Sequence, residues 1–135
     1  MSLQAFLNAN PVDGLTEEVV VSKRFKDTEG NVLKFKIKAM SPGEHADLQK
    51  KCTTIRKGGK MDFDQRKFTT ASVIENTLDP DFKDSASIKA LGCKTAEEYL
   101  NKVLLVGEMY NLSGAINELS GFDQSMEELV EEAKN

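Results

Sequence analysis

The sequence predicts an α+β fold, an N-terminal β-hairpin packed against a set of short α-helices in a single domain, on three observations. Between Val19 and Met40 apolar and polar side chains alternate on either side of Asp27-Thr28-Glu29-Gly30-Asn31, the period-2 pattern of two half-buried strands and a tight connection. Beyond Ser41 the apolar residues recur at helical spacing, in stretches cut short by Gly and Pro. With 135 residues the chain is large enough for one hydrophobic core. It divides into an N-terminal arm (1–18), the hairpin (19–40), a helical part (41–121) and an acidic C-terminal helix (122–135).

In the arm, Leu3, Phe6 and Leu7 share one side of a short helix that Asn10-Pro11 ends. So short a helix is unstable alone and is expected to dock on the hairpin, the alternative being that it lies against another molecule. In the first strand Val19, Val21 and Phe25 share a face that only Lys23 interrupts. In the second, Leu33, Phe35, Ile37 and Ala39 share one face and Lys34, Lys36 and Lys38 the other. Gly30 supplies the positive φ that the connection needs. Two strands are marginal in water, so the apolar face must be covered by the helices that follow.

Ser41-Pro42-Gly43-Glu44 is a helix start, with Ser41 as cap, Pro42 in the first turn and Glu44 completing a capping box. His45, Leu48, Cys52 and Ile55 continue at helical spacing, and Gly58-Gly59 ends the element in a mobile basic loop, Arg56 to Lys60. A further helix is predicted from about Asp62 to Leu78 on the stripe Phe68, Ala71, Ile74 and Leu78, stopped by Asp79-Pro80-Asp81. Ser85–Leu91 forms a short helix closed by Gly92, and Thr95 to Glu98 opens another that carries Tyr99 and Val103. Gly107 marks a break or a new start before Met109, Leu112, Ile116 and Leu119, and Gly121 closes that helix. Ser125-Met126-Glu127-Glu128 opens the last one, with Met126, Leu129, Val130 and Ala133 as its stripe.

Charge is segregated along the chain. Residues 19–60 carry a balance of +7, residues 61–135 of −8 and residues 1–18 of −3, within a net charge of −4. Such asymmetry is satisfied within the fold, between copies, or by a partner. The acidic total argues against a general nucleic-acid binder. No aromatic side chain interleaves with Arg24, Lys26, Lys34, Lys36 and Lys38 on the basic face, which weakens that reading further. Solvated lysines that discourage edge pairing are the ordinary alternative to a binding role there.

Chemistry-bearing motifs are missing from the sequence. His45 has no nucleophile or acid near it in sequence, and with Cys52 and Cys93 it makes no zinc pattern. The two cysteines read as free buried thiols in a reducing compartment. Gly58-Gly59-Lys60 lacks the earlier glycine of a phosphate loop, and Met61 stands where a Ser or Thr would hold Mg²⁺. Asp79, Asp81 and Asp84 have no EF-hand glycine or terminal Glu in place and read as turn and cap residues. No apolar run is long enough to span a bilayer and no signal-peptide core opens the chain, so a cytosolic protein without cofactor, metal or membrane partner is expected. Met126, Leu129 and Val130 are candidate anchors for a partner groove, with Glu127, Glu128, Glu131 and Glu132 around them. Lys34, Lys36 and Lys38 are the candidate basic surface, and their meeting with the acidic helix of a second copy would give a homo-oligomer.

One resemblance covers nearly the whole chain. Met1 to Leu7, Val21 to Asp27, Ile37 to Ser41, Ala71 to Ile74, Pro80 to Phe82, Gly121 to Asp123 and Met126 to Asn135, in that order, are similar to the XkdN-like tail assembly chaperones of Gram-positive phages and defective prophages with contractile tails. Arg56–Lys60 and Ser85–Lys94 depart from the family pattern. The resemblance implies a non-enzymatic factor that binds the tape-measure protein, keeps its apolar helical segments soluble, helps bring tail-tube protein to it, and is absent from the finished particle. Met109 and Met126 would contribute to an adaptable apolar surface for such a client, against ordinary packing in the core or helix stripe, which their helical spacing favours. The resemblance also implies a second, frameshifted length. Ala133-Lys134-Asn135 can be encoded with A-AAA-AAC, and reading the gene there tests this. A structural tail component is the first alternative, and a small nucleic-acid-binding regulator using the hairpin is the second.

Overall fold

The computed structural model of the chain describes residues 1–9 and 15–122. The expected α+β architecture is present, and its hairpin is shifted and interrupted. Strand β1 (Thr16–Val19) pairs antiparallel with β2 (Phe35–Lys38), Thr16 opposite Lys38 and Val19 opposite Phe35. The chain leaves the ladder after Val19, turns Val21 into the core, and rejoins only at the Lys26–Val32 bridge beside the turn. The alternation Val19, Val21, Phe25 is therefore a set of inward anchors on a partly irregular segment. The turn forms as read: the Asp27 carboxylate accepts the backbone N–H of Glu29 and Asn31, each at 2.9 Å, and Gly30 has φ +86°. The Asn31 backbone N–H, above all, holds the Asp27 carboxyl below its ordinary range.

Two further pieces of β structure replace predicted helix and loop. The first helix of the body, α2 (Pro42–Lys51), starts as read, with Ser41 Oγ accepting the Glu44 N–H at 3.2 Å, but stops before Cys52. Thr53, Thr54 and Ile55 are β-branched in succession and form β3 (Thr53–Ile55), paired with β4 (Met61–Phe63). Gly58 and Gly59, at φ +87° and +79°, are the turn of this second hairpin. Helix α3 (Gln65–Asn76) is capped by Asp64 and ends two residues earlier than expected. Thr77–Asp79 becomes β5, a third strand on the free side of β2, so the first sheet has the order β1-β2-β5.

The remaining helices follow the sequence reading closely. Helices α4 (Ser85–Ala90) and α5 (Ala96–Val103) are capped by Asp84 and Thr95, whose side chains accept N–H groups of Ser87 and Glu98. Gly92 takes the positive φ after α4, and α6 (Val106–Leu119) ends at Gly121, φ +93°. Helix α6 packs on β1 and β2 and against α3, which α2 and α5 also flank. Between these layers Ile37, Val73, Leu100, Leu112 and Ile116 are wholly buried, with Phe35, Met40, Leu48 and Phe82 around them. The arm helix α1 (Leu3–Asn8), capped by Ser2, contributes nothing to this core. Its Leu3, Phe6 and Leu7 stay at least half exposed, against the expectation that it docks on the hairpin.

The end of α3 holds a polar defect in the core. Ser72, Asn76 and Thr77 are buried, and among the described residues Ser72 Oγ, Asn76 Oδ1 and Thr77 Oγ1 have no hydrogen-bond partner. A buried hydroxyl without a partner costs free energy that an isosteric methyl does not. Thr77→Val is therefore expected to keep or raise stability, by up to about 1 kcal/mol, in urea unfolding. A loss of that size would show that the hydroxyl is satisfied by bound water.

Candidate functional site

The strongest candidate surface lies where α5 passes into α6. Leu104 and Leu105 join the two helices in extended conformation, so the turn throws apolar side chains outward instead of folding them in. Leu105, Val106 and Tyr110 are 59, 71 and 66% exposed, a ridge that the core does not use. One groove runs along this ridge, and a second lies beyond Leu104. One, about 780 Å³, is walled by α3 through Gln65, Arg66 and Thr69 and by the ridge, with Leu100 and Met109 in its lining. The other, about 330 Å³, runs past Phe25, Leu33, Phe82 and Tyr99, with Lys34, Asp81 and Asp84 also lining it. Leu104 lines both, so the grooves share one apolar divide.

An ion pair lies at the base of that ridge. Glu108, in the first turn of α6, is nearly buried, and Arg24 reaches it from the irregular segment after β1. Arg24 Nε donates to Glu108 Oε2 at 3.0 Å, and Nη2 donates to Oε1 at 2.6 Å and to the Val103 carbonyl at 2.8 Å. Glu108 Oε1 also accepts the Leu105 N–H at 2.7 Å. The guanidinium lies 4.4 Å from the centre of the Phe25 ring, a cation–π contact. The Arg24 guanidinium, with the Leu105 N–H, holds the Glu108 carboxyl down at about 2 despite burial, which acts the other way. One bidentate pair thus ties the end of α5, the start of α6 and the sheet together.

The lysines are distributed differently from a free basic stripe. Lys38 pairs with Glu44 at 2.5 Å, which lowers the Glu44 carboxyl from its ordinary value. Lys36 stands in register between Glu18 of β1 and Asp79 of β5. Lys34 is exposed and lines the smaller groove. Part of the +7 segment is thus balanced inside the fold. Met126, Leu129 and Val130 lie outside the described residues. Met109 is partly buried and lines the larger groove. Sequence reasoning missed the Arg24–Glu108 pair and the outward-facing ridge; Leu104-Leu105-Val106 before Gly107 was the available signal.

Asp81 and Asp84 are turn and cap acceptors as read, and His45 lies edge-on to Phe68 at 5.3 Å. Cys52 and Cys93 are free and buried, and burial pushes the Cys52 thiol up. Among the described residues no cluster of His, Cys, Asp and Glu could hold a metal ion, and no helix is long and apolar enough to cross a membrane.

Comparison with known proteins agrees over the length of the chain. Residues 3–134 match the family described as phage XkdN-like tail assembly chaperone protein. The chain is 33% identical over 138 aligned residues to the phage-like element PBSX protein XkdN of Bacillus subtilis (strain 168), covering 98% of this chain and 93% of that protein. It is also 33% identical, with the same coverage, to the uncharacterized protein YqbN of that strain. The crystal structure of the protein YqbN superposes with a TM-score of 0.75 at 32% identity, covering 91% of this chain and 98% of that one.

Proposed function

Because this chain belongs to the phage XkdN-like tail assembly chaperone family, we propose that it binds the tape-measure protein of its tail in the bacterial cytoplasm. It holds that protein's apolar helical segments in solution until tail-tube protein assembles on them. It works by binding and not by catalysis, and it leaves before the particle is finished. The observation that carries this reading is the exposed ridge Leu105, Val106 and Tyr110 along the larger groove. An amphipathic helix presents anchors at i, i+3, i+4 and i+7, and an exposed apolar ridge beside a groove accepts them. Met109 gives the larger groove a side chain that repacks around different apolar partners.

Co-expression with the tape-measure protein of the same tail tests the reading. The tape measure is expected to move into the soluble fraction and to co-purify with this chain. A tape measure that stays insoluble and unbound would refute it. A structural tail component would instead persist in purified particles, where a chaperone is expected to be absent.

A further inference from the structure

Two surfaces of this chain, both away from the ridge, complement each other in charge and in apolar character. The first is the β3–β4 hairpin. Register puts Ile55 opposite Met61, so the two share one side of the ribbon, where they are 70 and 75% exposed. Arg56 pairs with Asp62 at 2.6 Å, while Lys57 and Lys60 have no ion pair among the described residues. The tip therefore presents cations beside open apolar side chains. The second surface is the smaller groove, about 330 Å³, lined by the rings of Phe25, Phe82 and Tyr99 and by Asp79, Asp81 and Asp84 against Lys34. Asp79 stands in register with Lys36, but Asp81 and Asp84 are exposed and have no ion pair among the described residues.

We propose that the β3–β4 tip of one copy seats in the smaller groove of a second copy, with Met61 against the rings and Lys57 and Lys60 against Asp81 and Asp84. Aromatic rings beside carboxylates select an occupant that carries an apolar side chain next to cations. Met61 follows Lys60 directly, and a thioether packs favourably against ring edges. The contact lies between copies and not within one. The hairpin leads into the start of α3 and Asp79 ends the strand that follows α3, so a helix of 12 residues, about 18 Å long, separates the two attachments. Tip and groove are different surfaces, so the contact is head-to-tail and each pair keeps one free tip and one free groove. Further copies then add in a row or close into a ring. The ridge of Leu105, Val106 and Tyr110 takes no part in it and stays available to a client.

Sedimentation of the full chain tests the contact. At about 0.05 M salt the average mass is expected to rise with protein concentration, and association to weaken at least about tenfold at about 1 M salt, where the screening length is about 3 Å. Lys57→Glu with Lys60→Glu, on an exposed tip outside the core, is expected to weaken association by a similar factor. So is Asp81→Lys, with Tm as its control because Asp81 also accepts the Lys83 N–H. Mixing the two folded variants identifies a head-to-tail contact. Each is expected to be monomeric alone, and the intact tip of one with the intact groove of the other gives a dimer and nothing larger. Three results would overturn the proposal: a monomer at every concentration in low salt, association that Lys57→Glu with Lys60→Glu leaves unchanged, or a mixture of folded variants that stays monomeric. Asp81→Lys that releases the tape-measure protein from a chain already monomeric would overturn it too, and would give the groove to the client.

Discussion

Glu108→Gln is expected to destabilise the protein by about 2 kcal/mol at neutral pH, since it replaces charged hydrogen bonds at a nearly buried site with weaker neutral ones. At this chain length that corresponds to a fall in Tm of roughly 6–8 °C. The pH dependence gives the prediction its sign. Glu108 has its carboxyl lowered from 4.5 to about 2 in the folded protein. Its contribution is therefore fully present above pH about 4.5 and is lost as pH falls from there through about 2. The gap between the unaltered chain and Glu108→Gln should be widest above pH 5 and close progressively towards pH 2. Arg24→Met should destabilise as well, and should return the Glu108 carboxyl towards its ordinary range by removing the largest cause of the shift. Urea unfolding at several pH values measures both. A gap that does not change with pH would mean that Glu108 acts by shape alone.

The second large effect concerns binding without stability. Val106 and Tyr110 stand more than two-thirds and about two-thirds exposed, so Val106→Glu with Tyr110→Glu should shift stability by no more than about 0.5 kcal/mol each. The same pair puts two carboxylates where an apolar helix would have to desolvate them. The affinity for the tape-measure protein should fall by about 2 kcal/mol or more, at least roughly 30-fold. Pull-down after co-expression reads this, with Tm as the control for folding. Retained binding at an unchanged Tm would move the client site away from the ridge.

What the sequence made legible was local. Ser41, Asp84 and Thr95 accept hydrogen bonds from residues three positions on, and Asp27 from residues two and four positions on. Gly92 and Gly121 need only their own φ. The Arg24–Glu108 pair joins residues 84 positions apart, and no local pattern marks Arg24 as different from the lysines around it. At Thr53-Thr54-Ile55 two local signals compete: Cys52 and Ile55 continue the helical spacing of Leu48, while three β-branched residues favour a strand. Pairing with Met61-Asp62-Phe63 decides for the strand, and that pairing is a property of the folded hairpin. Strand β5 depends in the same way on β2 beside it. Leu104-Leu105-Val106 is apolar in the sequence, but only the packed helices determine that Leu105 and Val106 face outward while Leu112 and Ile116 face inward.

The central claim is that an apolar client helix lies along the α5–α6 ridge, and hydrogen exchange on the complex with the tape-measure protein tests it most directly. Binding is predicted to slow exchange across Tyr99 to Tyr110 and along the first turns of α3, which together wall the grooves. Unchanged exchange in both stretches, with protection confined to other parts of the chain, would contradict it.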